Sequence, residues 1–184
     1  MDLREQIIRA AIGVFSEKGL KFTMQDTAAA MHISKKTIYT EFPSKEELLL
    51  GMLDYGYGRI RESKQAVLQS DLPIKEKLRQ VMIAMPEDYQ VLDFRRLSVL
   101  KNKYPEVNAR LVSNLENGWE PVIALLEEGI AKGVFRPVNP TILRVTFSAA
   151  LESFLGGEEL KTEGIGYADA LEQLMDILME GISY

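Results

Sequence analysis

Apolar residues recur along this 184-residue chain mostly at spacings of three and four, which is the period of an α-helix. The first such stretch, about Leu3–Lys18, carries one apolar stripe made of Ile8, Ala11, Ile12 and Phe15. Gly19 follows it and suits the position just after a helix C-terminus. No stretch shows the convincing apolar–polar alternation of a half-buried strand. The pattern predicts an all-α protein of about nine helices.

Three capping residues follow in quick succession and predict short helices. Thr23 is placed to begin the second helix, Ser34 the third, and Ser44 a long fourth helix. Only the turn Met31-His32-Ile33 separates the second helix from the third. Two short capped helices joined by such a turn are the sequence form of a helix-turn-helix. Residues 23–42 are therefore predicted to bind DNA.

Proline and glycine mark the helix boundaries in the rest of the chain. A fifth helix is predicted to begin at Pro73, a sixth to cover about 88–102 after Pro86, and a seventh to begin at Pro105. The last two are predicted to cover about 141–155 and 167–181. Pro121 is expected to kink or restart the seventh helix. We place a DNA-binding domain at residues 1–48 and a second helical domain at residues 49–184.

Helical rotation of about 100° per residue identifies the outer face of the third helix. When Ile38 is directed into the core, four residues face outward or flank that face: Lys36, Thr37, Tyr39 and Thr40. Lys35 and Glu41, the one carboxylate on this helix, are turned closer to the protein. Donor groups with modest bulk and little negative charge are what a helix needs in order to enter the major groove.

The net charge of −5 is unusual for a DNA-binding protein. Residues 1–48 hold seven Lys or Arg and seven Asp or Glu, so the acidic excess lies entirely in residues 49–184. Attraction to phosphate depends on local cationic groups, and DNA binding must therefore come from a small cluster. The acidic excess leaves a cationic ligand possible, although solvated surface carboxylates explain it equally well.

Composition argues against several kinds of chemistry. The chain has no cysteine and one histidine, His32, so thiolate sites, histidine bases and metal sites are poorly supplied. It contains no nucleophile elbow, P-loop or dinucleotide fingerprint, and we expect neither enzyme activity nor a cofactor. No apolar run approaches the roughly 20 residues that span a bilayer, and the start lacks a signal-peptide pattern. We expect a cytoplasmic protein with no membrane partner.

The helix-turn-helix resembles that of the TetR family of transcriptional regulators. The resemblance is carried by residues 23–28 and 34–48, preceded by Phe15 and Gly19, and a weaker likeness runs through the turn at 133–136 to the end. Three residues depart from the family pattern: Thr27 replaces an aliphatic residue, His32 the turn glycine, and Glu41 a common histidine. Histidine tolerates a positive φ better than most residues, so the turn stays feasible.

The resemblance implies a dimer that binds a palindromic double-stranded DNA operator and is released by a small-molecule effector, most commonly as a repressor. Contacts to base edges are expected from Lys36, Thr37 and Thr40, and from Gln25 if the second helix approaches closely enough. Contacts to phosphates, or a positioning role, are expected from Thr23, Lys35, Tyr39 and Lys45.

The resemblance also implies an effector pocket in the middle helices and a homodimer interface on the last two. Candidates for the pocket wall are Met52, Tyr55, Met82, Phe94, Trp119 and Phe147. Candidates for the interface are Leu151, Phe154, Leu171, Leu174 and Leu178. Periodicity alone does not separate either set from ordinary core, and the sequence does not identify the effector.

Gly56 and Gly58 lie inside the fourth helix, which connects the two parts of the chain in the family. An interior glycine costs about 0.5–1 kcal/mol relative to alanine, so this segment is locally weak. It is either a compliant joint that sets the spacing of the recognition helices or a site of close helix packing.

Two other classes of function stay open at this point. An enzyme with a carboxylate-bridged metal site would need Glu-x-x-His, but Ala29 stands three residues before His32. A helical ligand- or partner-binding protein that has lost DNA binding is compatible with the zero net charge of residues 1–48. An operator-binding assay separates this alternative from the regulator.

Overall fold

The computed structural model describes residues 2–84, 100–156 and 159–184. Within them the protein is all-α, as predicted, with one isolated bridge between Phe135 and Ser183. Nine helices in these ranges are seven residues or longer: α1 (Leu3–Lys18), α2 (Met24–Ala30), α3 (Lys35–Glu41), α4 (Lys45–Gln69), α5 (Ile74–Ile83), α6 (Pro105–Glu116), α7 (Glu120–Ala131), α8 (Pro140–Gly156) and α9 (Tyr167–Ile182). Shorter helical turns cover Gly19–Lys21, Leu100–Lys103 and Glu159–Thr162.

The predicted caps form at the start of α2, α3 and α4. The side-chain oxygen of Thr23 accepts the Asp26 N–H at 3.1 Å, that of Ser34 the Thr37 N–H at 3.1 Å, and that of Ser44 the Glu47 N–H at 3.1 Å. Each satisfies a backbone donor that the first turn of a helix leaves unpaired. The end of α1 is also as predicted, because Gly19 has a φ of 56°.

Two clusters of buried side chains hold the fold together. The first lies among α1, α2, α3, the first half of α4 and α6, and includes Ile38, Phe42, Leu48 and Val107. The second lies among α5, α7, α8 and α9, and includes Leu78, Leu126, Phe135 and Met175. Helix α4 contributes to both clusters, since Leu48–Met52 belong mostly to the first and Val67 packs against the second.

The seventh predicted helix is divided in two. Helix α6 ends at Glu116 and α7 begins at Glu120, with Gly118 at a φ of 78° in the turn. Pro121 therefore restarts the helix, at a position where the first turn tolerates the missing N–H. The sixth predicted helix, 88–102, lies mostly outside the described residues together with Pro86, and only Leu100–Lys103 is described as helical at its end.

The predicted domain boundary between residues 48 and 49 falls near the start of α4. The first cluster continues past it to Met52 and takes in Leu100, Val107 and Leu111 from much later in the chain. The division into two domains stays a prediction. What the structure adds is that α4 and α6 connect the helix-turn-helix to the remaining helices through shared buried contacts.

Candidate nucleic-acid interface and ligand cavity

The turn between α2 and α3 depends on one left-handed residue. His32 has a φ of 56°, and the next residue, Ile33, donates its N–H to the Ala28 carbonyl at 3.0 Å. Glycine is the usual residue in this conformation, but histidine is among the side chains that adopt it more readily than most. The turn expected from the sequence is therefore made, and it packs α3 against α2.

The inner face of α3 is anchored by apolar contacts. Ile38 and Phe42 are fully buried, and the small side chain of Ala28 is buried with them. The Arg4 guanidinium lies 4.1 Å from the centroid of the Phe42 ring and donates to the Glu41 carbonyl at 2.6 Å. A cation–π contact and a charge-assisted hydrogen bond thus hold the C-terminal end of α3 on α1.

The outer face of α3 carries the residues that helical rotation predicted. Opposite the buried Ile38, the side chains of Lys36 and Thr40 are exposed. Thr37 is half-buried, and its hydroxyl forms a 2.8 Å hydrogen bond with the hydroxyl of Ser34. Lys36 and Thr40 are therefore open to a partner, as is the flanking Tyr39, which is 41% exposed.

A shallow groove beside α3 brings five of the predicted DNA-binding residues together. Its wall includes Thr23, Gln25, Lys35, Tyr39 and Lys45, with Lys21, Lys103 and Tyr104 next to them. Among the described residues of this wall four are lysines and none is acidic. The groove is thus a local positive cluster, formed by three lysines of the segment 1–48, whose net charge is zero, together with Lys103.

Lys21 and Lys103 were not identified by the sequence analysis. Lys21 belongs to the short turn between α1 and α2, and Lys103 comes from the helical turn before α6. A lysine outside the recognized motif looks like any solvated surface lysine, and only folding brings Lys103 beside Lys35. The four lysines of the groove are called the lysine groove below: Lys21, Lys35, Lys45 and Lys103.

The acidic residue at the start of α2 is compensated locally. The Asp26 carboxylate accepts the Lys18 ammonium at 2.6 Å and the Thr23 N–H at 2.8 Å. These hydrogen bonds, that of Lys18 first, lower the pKa of Asp26 to about 2. The carboxylate therefore stays ionised at neutral pH, with Lys18 rather than a lysine of the groove as its bonded partner.

Lys45 differs from the other lysines of the groove. Its ammonium donates to the Leu20 carbonyl at 2.7 Å and to the Phe22 carbonyl, and it lies 4.2 Å from the centroid of the Phe22 ring. Burial, and then the charge of Lys103, lower the pKa of Lys45. Two of its three donors tie α4 to the segment before α2. A phosphate contact from Lys45 stays a prediction, with one donor left to make it.

A cavity of about 130 Å³ lies among the helices from α4 to α9. Three of the predicted pocket residues, Met82, Trp119 and Phe147, line it. The Trp119 and Phe147 rings meet edge to face with centroids 5.7 Å apart, and the indole N–H donates to the Leu115 carbonyl at 3.1 Å. Both aromatic rings are thus fixed as walls of the cavity.

The other pocket candidates lie elsewhere. Helix α4 presents one face to the cavity, at helical spacing: Leu53, Gly56, Tyr57, Ile60 and Lys64. Met52 and Tyr55 are on different faces of α4 and pack in the first cluster instead. Phe94 lies outside the described residues. The sequence does not give the rotation of α4, because this helix packs apolar residues on more than one side.

Polar side chains interrupt the apolar lining at five positions: Tyr57, Lys64, Asn114, Asn117 and Tyr167. Burial lowers the pKa of Lys64, raises that of Tyr57 and raises that of Tyr167 to about 12. The amide nitrogen of Asn114 is buried without a hydrogen-bond partner, whereas that of Asn117 donates to the Ser113 carbonyl at 2.7 Å. None of these residues was a sequence candidate, since a single polar residue on a helix does not reveal what encloses it.

The dimer candidates on α8 and α9 mostly face the chain's own core. Leu151 and Leu171 are buried in the second cluster and line the cavity. Phe154, Leu174 and Leu178 are half-buried against the same cluster. The apolar stripe that periodicity identifies is the one that the chain buries in itself, because that is the face with the most apolar residues.

Three apolar side chains on these helices point outward instead. Ile142 and Val145 of α8 are 62% and 51% exposed, and Ile177 of α9 is 69% exposed. They were not candidates, because they lie off the apolar stripes that periodicity identifies on these two helices. They are called the outer apolar patch below.

The glycines of α4 have different surroundings. The helix is continuous from Lys45 to Gln69, and Gly56 lies on the cavity wall. A Cβ at Gly58 would meet nothing closer than Arg61 Nη2 at 3.9 Å, so no helix packs tightly there. The close approach is at Gly51, where a Cβ would lie 2.8 Å from Phe42 Cε1. A joint at Gly56 and Gly58 stays a hypothesis.

In the described ranges, no group of three or more His, Asp or Glu side chains is placed to hold a metal ion. The helices of the same ranges are too short or too polar to cross a membrane.

The helix-turn-helix segment matches a known family. Residues 7–52 match the model of a family described as bacterial regulatory proteins, tetR family. The chain is 24% identical over 180 residues to the uncharacterized HTH-type transcriptional regulator YvaF of Bacillus subtilis. This alignment covers 97% of this chain and 95% of that protein. It is 30% identical over 142 residues to the HTH-type transcriptional repressor NicS of Pseudomonas putida, which covers 72% of this chain and 66% of that protein.

Solved structures share the fold over nearly the whole chain. A TetR transcription regulator from Haloarcula marismortui has a TM-score of 0.74 at 19% identity and covers 98% of each chain. The TetR family transcriptional regulator PfmR from Thermus thermophilus has a TM-score of 0.65 at 23% identity, over 95% of this chain and 97% of that one. The likeness in fold therefore extends well beyond the DNA-binding segment.

Proposed function

Since this chain belongs to the TetR family of transcriptional regulators, we propose that it binds a palindromic DNA operator as a homodimer and is released by a small-molecule effector. The observation that carries the proposal is the outer face of α3, where Lys36 and Thr40 are exposed opposite the buried Ile38. Repression is the proposed outcome, because relatives such as NicS and KstR2 are named as repressors.

In the proposed complex α3 enters the major groove. The Lys36 ammonium donates to guanine O6 or N7, and the methyl groups of Thr37 and Thr40 meet thymine methyl groups. Gln25, exposed on the first turn of α2, pairs with adenine where α2 comes close to the bases. These contacts supply the sequence specificity.

The lysine groove is proposed to hold the DNA backbone. Lys21, Lys35 and Lys103 supply ammonium donors, and Thr23 and Tyr39 add hydroxyl groups to the same wall. Each phosphate that a lysine neutralises releases a counterion, so the affinity falls as salt rises. Phosphate contacts of this kind set the register of the helix on the duplex without reading the sequence.

The outer apolar patch is proposed to form the homodimer interface with the half-buried leucines of α9. Ile142 and Val145 are three residues apart and share one face of α8, and Ile177 is exposed on the neighbouring α9. A single recognition helix reads too few bases for a specific site. Two helices about 34 Å apart read the two halves of a palindrome.

Helix α6 is proposed to couple the cavity to the DNA-binding surface. Leu111 belongs to the first cluster and also lines the cavity. At the start of the same helix, the Tyr104 ring lies 5.9 Å from the Lys45 ammonium in the lysine groove. A ligand that displaces α6 therefore changes the position of Lys103 and Tyr104 relative to α3. Bending of α4 at Gly56 and Gly58 is the alternative route.

The test is a fluorescence-anisotropy titration of the protein with its own upstream intergenic DNA at two salt concentrations. We expect saturable, salt-sensitive binding that survives competitor DNA. The double variant Lys36→Ala, Tyr39→Ala should lose it, and Lys36→Ala alone should weaken it by about 10- to 100-fold, the value of a good base contact.

Lys75→Ala is the matched control for charge, since Lys75 is exposed on α5 away from the groove and the cavity. It should bind the operator like the wild type. Lys103→Ala tests the lysine groove separately, because losing a phosphate contact reduces the slope of log affinity against log salt by about one unit. Failure to bind this DNA or any member of a genomic selection library would contradict the operator proposal.

A further inference from the structure

The cavity has an apolar wall that includes a lysine side chain and a buried amide nitrogen, neither of which has a hydrogen-bond acceptor among the described residues. Most of its lining is aliphatic or aromatic, with Met82, Trp119 and Phe147 among the large side chains. Lys64 of α4 carries the ammonium and Asn114 of α6 carries the amide nitrogen. Protein pockets that select a ligand have this composition, an apolar surface with a few placed polar groups.

Lys64 carries a positive charge into this wall. Its side chain is half-buried, and burial lowers its pKa because the charged form loses hydration. No acidic residue is among the described residues that line the cavity, and Lys64 forms no ion pair with any described residue. A charge that has lost part of its hydration without gaining a partner is destabilised, so a ligand that supplies the counter-charge gains affinity.

Asn114 adds a second donor to the same cavity. Its amide nitrogen is buried and has no hydrogen-bond acceptor. A lysine ammonium and an amide nitrogen can only donate, so their partner must be an acceptor. A cationic ligand, which the overall acidity of the chain had left possible, would place its charge beside Lys64 with no described carboxylate to balance it.

We infer that the cavity binds a small organic acid whose carboxylate lies against Lys64 and Asn114 and whose apolar body packs on Trp119 and Phe147. The inference rests on the proposed function only in taking this cavity as the effector site. A volume of about 130 Å³ is close to that of an engineered apolar cavity that holds benzene. The body is therefore a single ring or a short chain.

Trp119 gives a direct readout of binding. It is the one tryptophan of the chain, it lines the cavity, and its N–H is already engaged by the Leu115 carbonyl. A ligand therefore changes its fluorescence by packing on the ring. The probes are benzoate and hexanoate, the uncharged benzamide and hexanamide of nearly the same shape, and the cation benzylamine.

We expect benzoate or hexanoate to change Trp119 fluorescence saturably, and to bind at least about 10-fold more tightly than the matching amide. Benzylamine should not bind. The inference is overturned if neither acid binds, if the amide binds as well as its acid, or if benzylamine binds best.

Two variants test the assigned donors. Lys64→Met keeps the length and apolar stem of the side chain and removes the charge, and should weaken binding of the acid by about 10- to 100-fold while leaving the amide unchanged. Lys64→Arg should retain most of the affinity, and the exposed Lys75→Met is the control for loss of a charge. Asn114→Leu should weaken the acid less. Equal acid binding by wild type and Lys64→Met would remove Lys64 from the site.

The operator assay separates this inference from the proposed function. If the acid binds but does not release the DNA, the ligand class is correct and the effector mechanism is wrong. If the protein binds its operator and no acid binds, the regulator stands and the ligand class is wrong.

Discussion

Gly129 of α7 is held against the ring of Phe135. A Cβ at Gly129 would lie 2.1 Å from Phe135 Cδ2 and 2.3 Å from Cε2. The N–H groups of Val134 and Phe135 also both donate to the Gly129 carbonyl, at 2.9 and 3.2 Å. The turn after α7 is thus closed directly over this residue, and Phe135 is buried in the second cluster.

We predict that Gly129→Ala lowers the free energy of unfolding by about 1–3 kcal/mol, because the added methyl group forces the buried ring to move. Urea unfolding followed by circular dichroism measures it. Gly13→Ala in α1 is the matched control, since a Cβ there meets no heavy atom within 4 Å. It should leave stability unchanged or raise it by about 0.5–1 kcal/mol. Equal stability of the two variants would show that Phe135 moves freely.

Single residues differ in how far the sequence reveals them. The left-handed conformation of His32 was expected, because it occupies a turn position that is usually glycine. The hydrogen bonds of Lys45 to the Leu20 and Phe22 carbonyls were not expected, since the sequence does not distinguish a solvated lysine from one that is bonded to the backbone. Local backbone geometry is a property of neighbouring residues, whereas a side-chain partner is chosen by the fold.

Helix α3 is the element on which the proposed DNA recognition depends, and it is only seven residues long. Its N-terminal turn is held by Ser34, whose hydroxyl accepts the Thr37 N–H at 3.1 Å. A helix this short has little stability of its own and depends on its cap and its packing. The cap was readable from the sequence because it involves residues three apart.

We predict that Ser34→Ala lowers the free energy of unfolding by about 0.5–2 kcal/mol and weakens operator binding, because the first turn of α3 loses its acceptor and frays. Thermal unfolding and DNA anisotropy measure the two effects. Ser34→Asn, which keeps a side-chain acceptor without adding a negative charge, should behave nearly like the wild type in unfolding. A Ser34→Ala protein as stable as the wild type would mean that packing of Ile38 alone maintains the helix.

The later helices show the limit of periodicity as a guide to partners. Periodicity identified Leu151 and Leu171 as interface candidates. Both are buried, but they lie in the second cluster of the chain's own core. An apolar stripe indicates that one face of a helix is buried, but it does not indicate which other part of the protein, or which partner chain, covers that face. The exposed Ile142 and Ile177 have no periodic pattern to distinguish them, and folding alone leaves them on the surface.

At the scale of the molecule, two helices connect the parts that the function requires. Helix α4 runs from the first cluster to the second, and α6 contacts the first cluster through Val107 and Leu111 and the cavity through Asn114. The cavity is therefore lined by helices that also pack against the helix-turn-helix. This arrangement is what the proposed release by an effector needs.

We predict that Ile177→Glu breaks the proposed homodimer and weakens operator binding, because the proposed interface would have to bury an unpaired carboxylate. Sedimentation equilibrium should show a dissociation constant raised by about 100-fold or more. The fold of each chain should persist, since Ile177 is 69% exposed in the single chain. Leu72→Glu, an exposed apolar position in the loop between α4 and α5, is the control and should stay dimeric. An unchanged Ile177→Glu dimer would place the interface elsewhere.

The all-α class, the helix starts at Thr23, Ser34 and Ser44, and the outward face of α3 were all predictable from local sequence. All of these depend on residues within a few positions of one another, where capping, turn chemistry and helical rotation act. Only the tertiary structure decided that Lys103 joins the lysine groove and that Lys64 and Asn114 share one cavity. It also decided which apolar face of α8 and α9 stays exposed. These are contacts between distant segments, set by how the helices pack, and a periodic pattern carries no information about which surfaces will meet.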